Sequence, residues 1–164
     1  MFPCESVGLD FLQTAPYRFV DSVDLPISPS QLWEVLTDAD AWPQWDDVTK
    51  ATWTSPEPRG VRSTRSFEIS TGVVGTAEFI AWNPHHHLAF RITESSSQRT
   101  GGSAEEYRIE PTEHGCRLTW TLARSPIDLS WMQRKLGPRI MASTRRQALA
   151  KLRDYANERF GASI

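Results

Sequence analysis

Two cysteines, Cys4 and Cys116, stand in a chain of 164 residues. They are too few for a disulfide framework and lack metal-site spacing. Cys116 falls in an alternating strand pattern and Cys4 in a segment expected to be loose, so both are read as free thiols. Long apolar runs are also missing, since no stretch approaches the ~18 residues of a membrane span. The opening residues, MFPCESVGLDFLQTAP, have neither a basic leader nor an extended apolar core, so no secretory signal is expected and the cytoplasm is the expected location. Lysine is scarce, three residues against fifteen arginines, a bias spread along the whole chain. Catalytic templates are lacking as well: there is no G-x-S-x-G elbow, no Walker-type glycine loop, no G-x-G-x-x-G after a strand and no H-E-x-x-H. No internal repeat or low-complexity tract is visible.

What remains describes one soluble domain. Hydrophobic residues make up 39% and charged residues 23%, values that separate a globular chain from a disordered one. A domain of this length buries roughly 70% of its unfolded surface and needs no staples. Net charge is −2, but residues 131–160 carry eight Lys or Arg against two acids. Such a segment is either a docking surface for an anionic partner or the solvated back of an amphipathic helix, and the second is the commoner case. Nucleic-acid binding has little support, because the aromatics cluster in the acidic portion of the chain.

Periodicity then gives the elements. Phe19, Asp21, Val23 and Leu25 share one parity, predicting a strand over 18–26. SPSQLWEVLTD follows, with Ser28 as N-cap, Pro29 at the first helical position and an apolar face of Leu32, Trp33, Val35 and Leu36. DADAWPQWDD predicts a second short helical turn. From 48 to 124 the pattern is strands: VTKATW, RSTRSFEIS, VVGTAEFIAW, HLAFRIT, AEEYRIEP and CRLTWTLA, separated by short turn clusters. Short connections mean an antiparallel meander of six, seven with the first strand. From Pro138, taken as a first-turn residue, Met141, Thr144, Ala148, Leu152 and Tyr155 form one helical stripe. A helix over 138–159 spans about 33 Å, enough to lie across a curved sheet. The class is α+β with helices on one face. Residues 1–16 read as a lead-in segment and 17–160 as a single domain.

The segment Leu25–Asp47, LPISPSQLWEVLTDADAWPQWDD, resembles the opening signature of the START-like, SRPBCC superfamily of polyketide cyclases and lipid-transfer-like proteins. The matching residues are Ile27, Pro29, Leu32, Trp33, Leu36, Asp38, Trp42, Pro43 and Trp45. GVRSTR (60–65) is similar to the superfamily's G-x-G-[ST]-x-R segment, NPHHHLAF to its hairpin turn, HGCRLTW to its G-[ST]-x-[VLI]-T strand and ALAKLRDYAN to its closing helix. The likeness covers residues 18–158. Arg62 stands where the second glycine is usual, and Cys116 where a Ser or Thr is usual. The resemblance implies a helix-grip fold: a seven-stranded antiparallel sheet wrapped around a long C-terminal helix, with two short helices between the first two strands and a deep cavity inside. It also implies apolar or amphipathic ligands, with cyclisation or dehydration in some members.

Strand parity nominates polar groups for that cavity. Asp21 shares its row with Phe19 and Val23; a lone carboxylate there would act as acid or base, although pairing with an arginine is the commoner outcome. Arg65 shares a row with Phe67 and Ile69 and would hold a ligand carboxylate or pair with Asp21 or Glu105. Glu105 and Tyr107 share a face, opposite a row of Glu106, Arg108 and Glu110 expected in solvent. Glu78 alternates with Phe79, and nothing in the sequence decides which faces in. Asp21, Arg65, Glu105 and Tyr107 are therefore the catalytic candidates. Phe19, Phe67, Phe79, Phe90, Leu118, Trp120, Met141, Thr144 and Ala148 are the expected cavity wall. His85, His86 and His87 follow Asn83-Pro84 and read as a turn, since consecutive strand residues alternate faces and cannot converge on a metal. No metal and no cofactor is expected.

Seven tryptophans divide the same way. Trp33, Trp42 and Trp45 are assigned by the resemblance to packing of the short helices. Trp53, Trp82 and Trp120 lie on strands, with Trp120 the favoured indole donor to a ligand, and Trp131 stands just before the long helix. The functional expectation is binding or carriage of an apolar small molecule (lipid, polyketide or aromatic compound), with no nucleic acid, no integral membrane association and an open oligomeric state. The alternative is a polyketide cyclase or dehydratase type of enzyme. Two or more polar candidates converging in the cavity would favour catalysis, and a wholly apolar lining would favour carriage. A protein-interaction role would need an exposed apolar patch.

Overall fold

The alternating segments pair, neighbour to neighbour, into one antiparallel sheet. The computed structural model describes residues 1–98, 101–125 and 131–161, with backbone alone at 131–134. In chain order the elements are β1 (Phe2–Pro3), α1 (Phe11–Thr14), β2 (Tyr17–Leu25), α2 (Pro29–Thr37), a 3₁₀ turn (Ala39–Gln44), β3 (Val48–Trp53), β4 (Thr64–Ile69), β5 (Val74–Asn83), β6 (His87–Ser95), β7 (Gly102–Thr112), β8 (Gly115–Ser125) and α3 (Trp131–Phe160). The sheet runs β2-β8-β7-β6-β5-β4-β3, and the short β1 adds to β6. The sheet curls around α3, whose Ala148, Leu149, Leu152 and Ala156 are buried in the main core.

Local chemistry sets the helical corner. The Ser28 hydroxyl accepts from the Gln31 amide at 3.1 Å while the Gln31 side chain accepts from the Ser28 amide at 2.9 Å, a complete capping box ahead of Pro29. The Asp38 carboxylate caps the 3₁₀ turn through the Asp40 amide. Trp42 then donates its indole N–H to the Leu36 carbonyl at 3.0 Å, folding the turn back beneath α2.

Three expectations need correction. The helix α3 begins at Trp131, so Pro138 lies inside it and Trp131 is its first residue; the good helix formers from Met132 to Leu136 outweigh the one backbone bond that proline removes. The buried stripe is Arg145, Ala148, Leu149, Leu152 and Ala156, while Thr144 is exposed and bonds back to the Ile140 carbonyl. The opening residues are not loose. Phe2 and Pro3 pair with Ser95 and Glu94, and the Cys4 amide donates to Thr93. Val7 and Leu12 bury against the outer face of the sheet, on a floor of Ala81, Ala89, Ala104 and Ala123. Alanines on that face let the segment lie close to the backbone.

On the inner face the residues are large. A bulge between Phe79 and Ala81 shifts parity, so Phe79 and Trp82 both join the inner core while Ala81 serves the outer one. Glu78 turns outward to Arg91 at 2.7 Å. At Gly75 an added Cβ would lie 2.4 Å from the Phe67 ring, so the glycine gives Phe67 room to fold over the inner surface. Arg62, at the position usually glycine, has φ +77°, the left-handed region that glycine favours.

Candidate functional site

Between the concave sheet and α3 lies a cavity of about 670 Å³. Its wall combines Phe67, Ile69, Phe90, Ile92, Leu122 and Met141 with polar groups from four strands, the segment after the 3₁₀ turn and α3. Of the expected wall, Phe67, Phe90, Trp120, Met141, Thr144 and Ala148 line it. Phe19, Phe79 and Leu118 do not; Phe79 and Leu118 pack into the solid core instead. Of the catalytic candidates, Arg65 and Glu105 line the cavity, whereas Asp21 and Tyr107 stand behind it.

Two arginines occupy this wall. Arg145 of α3 is 2% exposed and lies 4.0 Å from the Trp120 ring centroid. Its Nε donates to Asp21 at 2.7 Å and its Nη2 to the Trp120 carbonyl at 2.7 Å, so Asp21 is neutralised by a helix residue that parity on the strands does not reveal. Arg65 of β4 is 4% exposed and sits over Trp42, its Cζ 4.4 Å from the ring centroid, with Trp53, Phe79 and Phe90 within 5.6 Å. Among the described residues no carboxylate comes within 4.0 Å of its guanidinium. The expected Arg65 ion pair with Asp21 or Glu105 is therefore absent. Burial pushes its pKa down to about 10, against the opposing influence of Tyr107, Glu105 and Asp46.

Glu105 Oε1 accepts from the Trp120 indole at 2.8 Å and from the Tyr107 hydroxyl at 3.1 Å. The Trp120 N–H expected for a ligand is thus already committed. Tyr107 is fully buried between Phe90 and Trp120, and burial, then the Glu105 charge, pushes its pKa well up. Besides Arg145, a second polar group that sequence reading missed is Asp46. It lines the cavity beside Trp42 and Trp45, and burial followed by the Glu105 charge raises its pKa to about 7. Adjacent acids Asp46 and Asp47 look like a solvated turn; the signal was the flanking Trp42 and Trp45, both buried. These two are cavity wall as well as helical packing, whereas Trp53 donates to the Thr37 carbonyl and Trp82 faces an outer groove.

That outer groove, near the end of α3, is lined by Glu34, Asp38, Glu57, Arg59, Trp82 and Arg159 among others. Its charges are already paired, Arg159 with Asp38 and Glu34 and Arg59 with Glu57. On the outer face of the sheet, His87 meets Glu106 at 2.7 Å. Glu106 is 5% exposed, not the solvent residue its parity suggested, because His87 and Arg108 cover it. Among the described residues no three His, Cys, Asp or Glu side chains are grouped to hold a metal ion, and no helix is long and apolar enough to cross a membrane.

The chain belongs to the family described as polyketide cyclase / dehydrase and lipid transport, whose model matches residues 16–157. It is 46% identical to "Uncharacterized protein Rv2574" of Mycobacterium tuberculosis, over 99% of this chain and 98% of that one. Among solved structures it is similar to a START superfamily protein from Mycobacterium smegmatis, with TM-score 0.70, 13% identity and coverage of 86% of this chain and 97% of the other. A protein from Thermus thermophilus, TTHA0849, gives TM-score 0.72 and 15% identity over 88% of this chain and 99% of its own. The helix-grip fold expected from the sequence is the fold observed.

Proposed function

We propose that the chain binds and carries an apolar or amphipathic small molecule, a lipid, polyketide or aromatic compound, between its sheet and α3. The observation that carries this reading is the cavity of about 670 Å³, within the 300–1,000 Å³ usual for small-molecule sites and walled mainly by aliphatic and aromatic side chains. Family membership supports a hydrophobic ligand without naming it. The experiment is native mass spectrometry of the purified protein together with displacement of a neutral fluorescent probe, Nile red. A bound molecule, or saturable probe uptake that Ala77→Trp in the cavity wall abolishes, is the expected result. An empty protein that takes up no probe overturns it.

A second reading, proton-transfer catalysis of the polyketide cyclase or dehydratase kind, is favoured by one arrangement. Arg65, Glu105 and Asp46 share the wall, and the Asp46 carboxyl, held near 7, is matched to gaining and losing a proton at neutral pH. Asp46 would take a proton from the carbon next to a ketone while Arg65 steadies the enolate oxygen. Deuterium uptake at that carbon in a bound model ketone, lost in Asp46→Asn, tests it. Uptake unchanged by the substitution rejects it.

A further inference from the structure

Four buried side-chain polar atoms among the described residues have no hydrogen-bond partner: Trp45 Nε1, Arg59 Nε, Arg65 Nη1 and Arg145 Nη1. All four are donors. Three belong to residues that line the same cavity. Arg145 already spends its other nitrogens on Asp21 and two backbone carbonyls. Arg65 and Trp45 are different, for among the described residues neither has a side-chain hydrogen bond, and they are 4% and 1% exposed. Both touch Trp42: the Arg65 Cζ lies 4.4 Å from its ring centroid, and the Trp45 ring centroid 4.8 Å from it.

An arginine and an indole offer only donors, and the group that complements them is one that only accepts. We propose that the cavity selects amphipathic ligands through a carboxylate, seated against the Arg65 guanidinium and the Trp45 indole N–H. The aromatic faces around Arg65 hold the guanidinium in place without neutralising it, which leaves its charge for the ligand. Among the described residues Glu105 and Asp46 act on its charge only from beyond 4.0 Å. Glu105 is tied by Oε1 to Trp120 and Tyr107, and Asp46 accepts the Asp47 amide. An incoming anion adds to the Glu105 charge that already raises the Asp46 pKa, so Asp46 holds its proton more tightly when the ligand is bound.

This inference rests on the ligand-binding reading above, and one experiment separates the two. Dodecanoic acid, dodecanol and methyl dodecanoate are titrated against Nile red bound to the full chain near neutral pH. The acid is expected to displace the probe at about tenfold lower concentration than the alcohol or ester, as a charge-assisted bond requires. Arg65→Met should weaken displacement by the acid far more than by the alcohol or ester and so remove that preference; Trp45→Phe, which keeps the ring and loses only the N–H, should narrow it by about fivefold or more, as the loss of one hydrogen bond to a charged acceptor requires. If Arg65→Met does not fold, the Trp45→Phe result decides. Equal displacement by all three compounds, or an equal loss for all three in the variants, overturns carboxylate selection while ligand binding stands. Failure of the wild-type chain to take up the probe removes both.

Discussion

Arg145 and Arg65 both lie on indole faces at the wall of one cavity, but their surroundings treat them oppositely. On the α3 side, Arg145 ties helix to sheet: its partners are Asp21 and the carbonyls of Trp120 and Phe19, groups about 25 and more than 120 residues away in the chain. On the β4 side, Arg65 ties nothing to anything. It is wrapped in four aromatic rings and faces Asp46 and Glu105 from beyond contact distance. A buried cation that has partners supports the fold, whereas one without partners is a cost to it. The contrast divides the wall into a structural half and a half suited to a ligand.

The comparison breaks most visibly at Arg145. Removing one member of a buried pair costs roughly 3–5 kcal/mol, but Asp21 keeps 26% of its side chain exposed and will be partly rehydrated. Arg145→Met is therefore expected to lose about 2–3 kcal/mol in chemical denaturation, and a loss below ~0.5 kcal/mol would deny it a structural role.

The next effect in size belongs to Asp46, whose folded pKa of about 7 lies above its ordinary value of 3.8. A carboxyl shifted upward binds its proton more tightly in the folded state. The Asp46 contribution to stability is therefore fully present below about pH 4, is lost as pH rises toward 7, and stays constant above that. Asp46→Asn should match the wild type in acid and exceed it at pH 8 by on the order of 2 kcal/mol. Parallel stability–pH curves for the two proteins would refute this.

Arg62→Gly tests the backbone just upstream of Arg65. The left-handed conformation costs a non-glycine residue roughly 1–2 kcal/mol, and glycine's extra freedom in the unfolded chain returns part of that. A net gain of about 0.5–1 kcal/mol is expected, read as a raised denaturation midpoint. The smallest effect is at Arg65 itself. Arg65→Met breaks no ion pair and should leave stability within about 1 kcal/mol of the wild type. A loss as large as that of Arg145→Met would erase the distinction between the two arginines.

The pairing of β2 with β8 was not legible, since no short turn joins them; the order from β3 to β8 was, because six strands alternate cleanly and connecting turns force neighbours to pair. The inward row of β4 and β7 was legible for the same reason, which is why Arg65 and Glu105 were found. Arg145 was not, although it falls on the stripe of Ala148, Leu149, Leu152 and Ala156; flanked by Arg146 and other cations, it read as part of a solvated basic face. Asp46 was missed because an adjacent acid pair says nothing of burial until the tryptophans beside it are placed. The commitment of Trp120 to Glu105 was also out of reach, since it depends on the register that sets Tyr107 opposite Trp120 and Glu105 opposite Leu122. Single-strand patterns give facing, and only cross-strand register gives partners.

The position of β2 at the sheet edge bears on how the chain assembles. Its residues from Tyr17 to Leu25 pair with Arg124 back to Cys116, so the first long strand made meets its partner only when the last has been made. Strands β3 to β8 are joined by short loops and can zip together in order as they emerge. The early segment has to wait, exposed, until β8 and then α3 arrive to receive it. Such high contact order slows folding, and it makes the Asp21–Arg145 contact, 124 residues apart, one of the last to be secured.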